Sequence, residues 1–118
     1  MLTEKDYCDY ETCVALRKIG YNAPQRLIPD YFGVFEEPQY DERIHLYDAQ
    51  KWLREEKQIE ANASFDKIED GWIAFIQRLD YPDLCGTDVF STIYNTYESA
   101  LLVSIKEAIE ILKKENND

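Results

Sequence analysis

Residues 95–114, NTYESALLVSIKEAIEILKK, decide the fold of this chain. At about 100° per residue, the apolar side chains of this stretch fall on an arc of roughly half the helix circumference. The members of this arc are Tyr97, Leu101, Leu102, Ile105, Ala108, Ile109, Ile111 and Leu112. Asn95 or Thr96 can cap the first turn, and Glu98 stands at the capping-box spacing from Asn95. We predict a long amphipathic helix that needs a broad apolar surface, because burying one Leu or Ile gains roughly 1.5–3 kcal/mol.

The middle of the chain supplies that surface as a predicted sheet. Residues 59–66 alternate apolar and polar side chains, which predicts a strand with one solvent-exposed face. Residues 66–71 are predicted to turn, and residues 72–77 to form a second, more central strand that is apolar on both faces. A third strand is predicted over residues 89–94. Short links between the strands imply antiparallel neighbours.

Two further helices are predicted before the sheet. Asp9 is expected to cap a helix over residues 10–19, and Gly20 to end it in the left-handed conformation. A second helix is predicted over residues 46–57, which contain no helix breaker.

The segment between these helices, residues 21–45, has the weakest pattern. Three prolines and Gly33 exclude a helix there. The apolar residues 27–28 and 31–35 predict one or two short strands, and residues 36–42 predict a solvated loop.

The order of elements predicts one α+β domain over residues 1–118, with a three-stranded antiparallel sheet and helices packed on one face. The order is helix, a poorly defined strand or loop segment, helix, three strands, and the long C-terminal helix. Double-stranded-RNA-binding domains share the order of the last five elements. They contact phosphates with a basic start to the last helix, whereas residues 95–105 here contain no base.

The composition narrows the function classes. The 118 residues include 24 acids and 13 bases, a net charge of −11, which disfavours binding to nucleic acid and to anionic membranes. No apolar run approaches the roughly 20 residues that span a bilayer, and the first residues lack a secretory pattern. We therefore expect a cytoplasmic protein. The cysteines, Cys8, Cys13 and Cys85, are odd in number and form no CxxC motif, so we expect reduced thiols.

No metal or cofactor site is predicted. His45 is the single histidine and has no cysteine near it in sequence, and the spacing of Cys8 and Cys13 is not that of a zinc site. Asp66 and Asp70 fit the first and fifth positions of a calcium loop. Ile68 and Gln77 occupy positions where such a loop needs ligands, so the match fails.

No catalytic residues are predicted either. The chain has no nucleophile elbow, no phosphate-binding loop and no dinucleotide fingerprint. Adjacent acids such as Glu36 and Glu37, or Glu55 and Glu56, are expected by chance in so acidic a chain, and neighbours on a helix point in different directions.

Tyrosine is the most informative residue type. The chain has nine tyrosines, and six lie among acids and prolines in the N-terminal half. These six are Tyr7, Tyr10, Tyr21, Tyr31, Tyr40 and Tyr47. Amphipathic rings that complete a small core explain them, and so does a surface that binds a partner or a second copy of the chain.

Three local signatures resemble a protein family. They are the first helix ending in KIGY at residues 18–21, KWLRE at residues 51–55, and NTYESA at residues 95–100. The chain resembles small uncharacterised proteins of gut Bacteroides-type genomes, phages and mobile elements, which show a KWLRE helix, a strand hairpin and a final helix starting TYEEA. The resemblance implies a phage-related or mobile-element accessory protein of the bacterial cytoplasm, with no activity to transfer.

We therefore expect a non-enzymatic protein-interaction or accessory factor. An acidic nucleic-acid mimic that blocks a DNA-binding protein is an alternative, which the net charge permits. A third is an enzyme of unrecognised type, which would need a deep pocket that gathers His45 with two or more acids.

Overall fold

Helices and antiparallel strands alternate along the chain in a computed structural model of the protein. The structure describes residues 6–22, 26–27, 40–41, 43–79, 87–88 and 92–116. The elements in chain order are α1 (Tyr10–Lys18), β1 (Arg26–Leu27), β2 (Tyr40–Asp41), α2 (Leu46–Lys57), β3 (Ile59–Asp66), β4 (Gly71–Arg78), β5 (Thr87–Asp88) and α3 (Tyr97–Asn116). The predicted α+β class is confirmed.

Both ends of α1 follow the sequence prediction. The Asp9 carboxylate accepts a hydrogen bond of 2.8 Å from the backbone N–H of Thr12, which satisfies a free donor of the first turn. Gly20 has a φ of +111°, the conformation that glycine adopts at least cost after a helix.

Strands β3 and β4 form the predicted hairpin. They pair over eight residues, from Ile59 opposite Arg78 to Asp66 opposite Gly71. The Asp66 carboxylate accepts hydrogen bonds from the backbone N–H groups of Ile68 and Glu69, at 2.8 and 3.1 Å, and so fixes the connecting turn.

The predicted third strand over residues 89–94 is not confirmed. β5, which pairs with β4 at Phe75 and Ile76, covers only Thr87–Asp88. Residues 89–91 lie outside the described residues, and Thr92 and Ile93 belong to no strand. Tyr94 forms an isolated antiparallel bridge with Trp72.

The segment before α2 pairs over a long range. β1 and β2 are antiparallel, with Arg26 opposite Asp41 and Leu27 opposite Tyr40. The predicted loop over residues 36–42 is therefore wrong at Tyr40–Asp41. The predicted strand at residues 31–35 lies outside the described residues, as does Ile28 of the other predicted strand.

Helix α3 lies against β3 and β4 and also contacts α1 and α2. Its first turn is capped by the Thr96 hydroxyl, which accepts a hydrogen bond of 3.1 Å from the Ser99 backbone N–H. The described core joins side chains from all three helices and from β3 and β4. Its largest fully buried members are Leu16, Leu46, Leu53, Ile59, Leu101, Ile105 and Ile109. Within the described part of the chain, no helix is long and apolar enough to cross a bilayer.

Candidate interaction surface

Four aromatic rings form a continuous row across the starts of α2 and α3 and the turn end of the hairpin. We call Tyr47, Tyr97, Trp72 and Phe65 the aromatic row. Tyr47 and Tyr97 are stacked, with ring centroids 6.5 Å apart and an interplanar angle of 18°. Trp72 meets Tyr97 edge to face at 5.3 Å, and Phe65 meets Trp72 edge to face at 5.2 Å. Such distances lie within the range of favourable ring pairs.

Both ends of the aromatic row face solvent. Tyr47 is 43% exposed and Phe65 is 47% exposed, whereas Trp72 and Tyr97 between them are half-buried. Large rings that contact one another and remain this exposed contribute less to the core than full burial would. They therefore form a surface that can bury area against another molecule.

The hairpin register positions one half of the row. Phe65 on β3 lies directly opposite Trp72 on β4, so their side chains project from the same face of the sheet. On its other edge, Trp72 exchanges two backbone hydrogen bonds with Tyr94, of 2.9 and 2.8 Å. Because Tyr94 precedes α3 by three residues, this bridge brings Tyr97 beside Trp72.

Gly71 makes that approach possible. A Cβ atom at this position would lie 2.0 Å from Cγ2 of Ile93 and 3.1 Å from the carbonyl oxygen of Tyr94. Any side chain would therefore push the segment before α3 away from β4.

Helix α3 is fixed to β3 and β4 by polar contacts that converge on Asn62. The Tyr97 hydroxyl donates to Oδ1 of Asn62 at 3.0 Å. Ser104, which is fully buried, lies within hydrogen-bond distance of the Asn62 carbonyl oxygen at 2.5 Å, and its Oγ accepts from the Phe75 backbone N–H at 3.0 Å. Asn62 and Phe75 are opposite each other in the hairpin, so the hydroxyl lies at the seam between the two strands.

Two carboxylates, those of Glu98 and Asp6, act on the Tyr47 end of the row. The Tyr47 hydroxyl donates to Oε1 of Glu98 at 3.5 Å. Partial burial and the negative charges of Glu98 and Asp6 raise the pKa of the Tyr47 hydroxyl above its usual value. This end of the row therefore lies in a negative potential.

The predicted tyrosine surface is only partly assembled. Tyr47 belongs to the aromatic row, and Tyr10 is 82% exposed without joining it. Tyr7 lies between the Arg43 guanidinium, 4.1 Å from its ring centroid, and the His45 ring. Tyr21 packs on Trp52 at 5.4 Å. Tyr31 and the Tyr40 side chain lie outside the described residues.

Three members of the row were absent from the predicted surface. Phe65, Trp72 and Tyr97 all come from the second half of the chain. The hairpin pattern contained a signal for two of them, because a turn over residues 66–71 places Phe65 and Trp72 opposite each other.

His45 is buried at the start of α2, against Tyr7. It is 5% exposed, precedes α2, pairs by backbone with Tyr7 and contacts the Tyr7 ring at 4.4 Å. A cavity of about 220 Å³ lies between α1 and α3, lined by Thr12, Ile109 and charged side chains, and His45 is not among its lining residues. Among the described residues, no group of three or more His, Cys, Asp or Glu side chains is arranged to hold a metal ion.

Cys8, just before α1, and Cys13, within α1, form a buried pair of free thiols. They are 2% and 3% exposed, and the Ile44 backbone N–H donates to the Cys13 sulfur at 3.4 Å. A hydrogen bond from Cys8 and one from the Ile44 backbone N–H lower the pKa of Cys13. The hydrogen bond to Cys13 and burial raise the pKa of Cys8. Both sulfurs are closed to solvent.

Neither a known protein family, nor a curated protein, nor a solved structure matches this chain.

Proposed function

We propose that the chain is a small non-enzymatic interaction or accessory factor that binds a protein partner through the aromatic row. In this proposal the protein acts in the bacterial cytoplasm in connection with phages or mobile elements. Its fold is a three-stranded antiparallel sheet with helices on one face. The row of four contacting rings, exposed at both ends, is the observation that carries the proposal. Tyrosine and tryptophan supply large contact areas at low entropic cost and dominate the binding energy of many interfaces.

The arrangement of the row supports binding without rearrangement. The Tyr97 ring is held by its hydroxyl bond to Asn62, and the Trp72 ring by its edge-to-face contacts with Tyr97 and Phe65. Rings fixed in this way lose little conformational freedom when a partner covers them, so more of the contact energy remains as affinity.

Site-specific photo-crosslinking tests the proposal. A benzophenone amino acid is placed at the position of Tyr47, and in a matched control at the position of Tyr10, in cells that naturally produce the protein. Tyr10 is the more exposed ring but lies outside the row. We expect one specific protein adduct from the row position that the control does not give. Equal adducts from both positions, or no adduct from the row position, would contradict the proposal.

A further inference from the structure

The aromatic row lies on a strongly acidic part of the chain. The described segments that carry it, residues 47–48, 65–72 and 97–98, contain five acids and a single base, Lys67. The acids are Asp48, Asp66, Glu69, Asp70 and Glu98. The density of negative charge in these segments is higher than in the chain as a whole, whose net charge is −11. A surface of one sign attracts and orients a partner of the opposite sign.

Tyr47 shows that the negative potential reaches the rings themselves. Its hydroxyl contacts the Glu98 carboxylate at 3.5 Å, and the charges of Glu98 and Asp6 add to partial burial in favouring the neutral phenol over the phenolate. The same field that disfavours an anion at this ring favours a cation beside it.

The chain covers two of its other rings with its own cations. Arg43 lies 4.1 Å from the ring centroid of Tyr7, and the Lys57 ammonium lies 5.5 Å from that of Trp52. In the described part of the chain, no cation–ring contact involves a member of the aromatic row. Among these described residues, the ring faces of the row are therefore not covered by a cation of the chain itself.

We propose that the aromatic row binds an arginine-rich basic segment of a partner protein. The inference rests on the proposed function, and it names the chemistry of the partner. A guanidinium group suits this surface better than an ammonium, because it stacks on an aromatic face and forms paired hydrogen bonds with a carboxylate. In this complex, arginines stack on Tyr47 and Phe65 at the exposed ends, and a neighbouring arginine pairs with Glu98, whose carboxylate contacts the Tyr47 hydroxyl.

A second copy of the chain is a poorer occupant. Two rows docked face to face would bring two copies of Glu98 and Asp6, the carboxylates that act on Tyr47, close together, and like charges at close range oppose association. Self-association through the row is therefore an outcome that would overturn the inference.

Fluorescence anisotropy with labelled peptides tests the inference. The probes are three short peptides of equal length in which arginine, lysine or glutamate alternates with glycine. The row variant is Tyr47→Ala/Phe65→Ala, and the matched control is Tyr10→Ala/Leu79→Ala, which also removes two exposed apolar side chains but lies outside the row. Thermal melts establish that both variants are folded.

We expect the arginine peptide to bind more tightly than the lysine peptide, and the glutamate peptide not to bind. The row variant should weaken arginine-peptide binding by about tenfold or more, because two cation–ring contacts are lost, and the control should leave it unchanged. A second pair of variants separates the effect of charge from that of stacking. Glu98→Gln, on α3, should weaken binding of the arginine peptide, and Glu56→Gln, an exposed acid on α2 outside the row, should not.

Three results would overturn the inference. The first is equal affinity for the arginine and lysine peptides with no effect of the row variant, which would indicate attraction by net charge alone. The second is no binding of the arginine peptide. The third is a dimer in sedimentation analysis that the row variant dissociates.

The inference and the proposed function fail in different ways. If crosslinking from Tyr47 gives a specific partner but its crosslinked segment is neutral or acidic, the row is an interface and only the arginine chemistry is wrong. If the row position gives no partner, the proposed function itself is wrong.

Discussion

Replacing Ser104 by alanine should destabilise the protein by about 2 kcal/mol. The hydroxyl is fully buried and contacts two opposite backbone groups, the Phe75 N–H and the Asn62 carbonyl. A buried donor or acceptor without a partner costs about 1–3 kcal/mol. Because Asn62 and Phe75 are paired in register, the strands can partly recover by bonding to each other. The expected loss of stability is therefore closer to the cost of one unsatisfied group than to the cost of two.

Urea unfolding followed by far-ultraviolet circular dichroism measures this loss, with an unchanged m-value as the sign that both end states are preserved. The melting temperature should fall by about 6–10 °C for a chain of this size. Ser64→Ala is the matched control, since Ser64 lies exposed on β3 and should change stability by less than about 0.5 kcal/mol. A Ser104→Ala variant as stable as this control would refute the placement of the hydroxyl at the strand seam.

Three further predictions concern α1 and the hairpin. Hydrogen bonds from Lys106 and from the α1 N-terminus outweigh the effect of burial and hold the pKa of Asp9 below 3.8. The contribution of Asp9 to stability is therefore complete above the unfolded-state pKa and is lost as pH falls through the lower folded-state pKa. The Asp9→Asn variant should lose less than about 1 kcal/mol of stability at neutral pH and match the wild type in acid-unfolding curves near the lower end of that pH window. Gly71→Ala should cost about 1–3 kcal/mol through the clash with Ile93, and a double-mutant cycle with Ile93→Ala should show that the two changes are strongly non-additive. The thiolate absorbance of Cys13 should titrate at higher pH once its main hydrogen-bond partner is removed by Cys8→Ala, and an unchanged titration would contradict that assignment.

The periodic parts of the sequence predicted their elements well. The apolar arc of residues 95–114 gave a helix, and the two-residue alternation of residues 59–66 gave a strand, because each period matches the geometry of one element. The same reasoning did not identify the buried role of Ser104. It lies among the apolar residues of the arc, and its partners belong to β3 and β4, more than two dozen residues away in sequence.

Long-range pairing accounts for what the sequence pattern could not predict. Residues 89–94 combine β-branched and aromatic side chains, yet the described pairing there is the single bridge of Tyr94 with Trp72. Strand propensity depends on which neighbours a segment meets, and the absence of a side chain at Gly71 lets Ile93 approach β4 closely without a longer ladder being described. In the same way, Tyr40–Asp41 forms a strand only because Arg26–Leu27 lies beside it.

Only the part of the aromatic row that lies on the hairpin could be predicted from the sequence, because the strand register there is set locally. A hairpin with a turn over residues 66–71 places Phe65 opposite Trp72 from the sequence alone. Tyr47 and Tyr97 begin two different helices separated by 50 residues of sequence, so their stacking depends on how α2 and α3 pack. Counting tyrosines therefore indicated a surface but could not identify its members.

The core and the proposed binding surface are joined at Asn62. Its side chain holds the Tyr97 hydroxyl, and its carbonyl group holds Ser104 two turns further along α3. A helix attached at both points can neither rotate nor slide along the hairpin without breaking one of the contacts, so Tyr97 stays beside Trp72. Loss of the buried Ser104 hydroxyl should therefore loosen the aromatic row as well as the fold, even though Ser104 touches no ring of the row. A surface ordered in advance by buried hydrogen bonds can convert a small number of exposed rings into affinity, because little order remains to be imposed when a partner arrives.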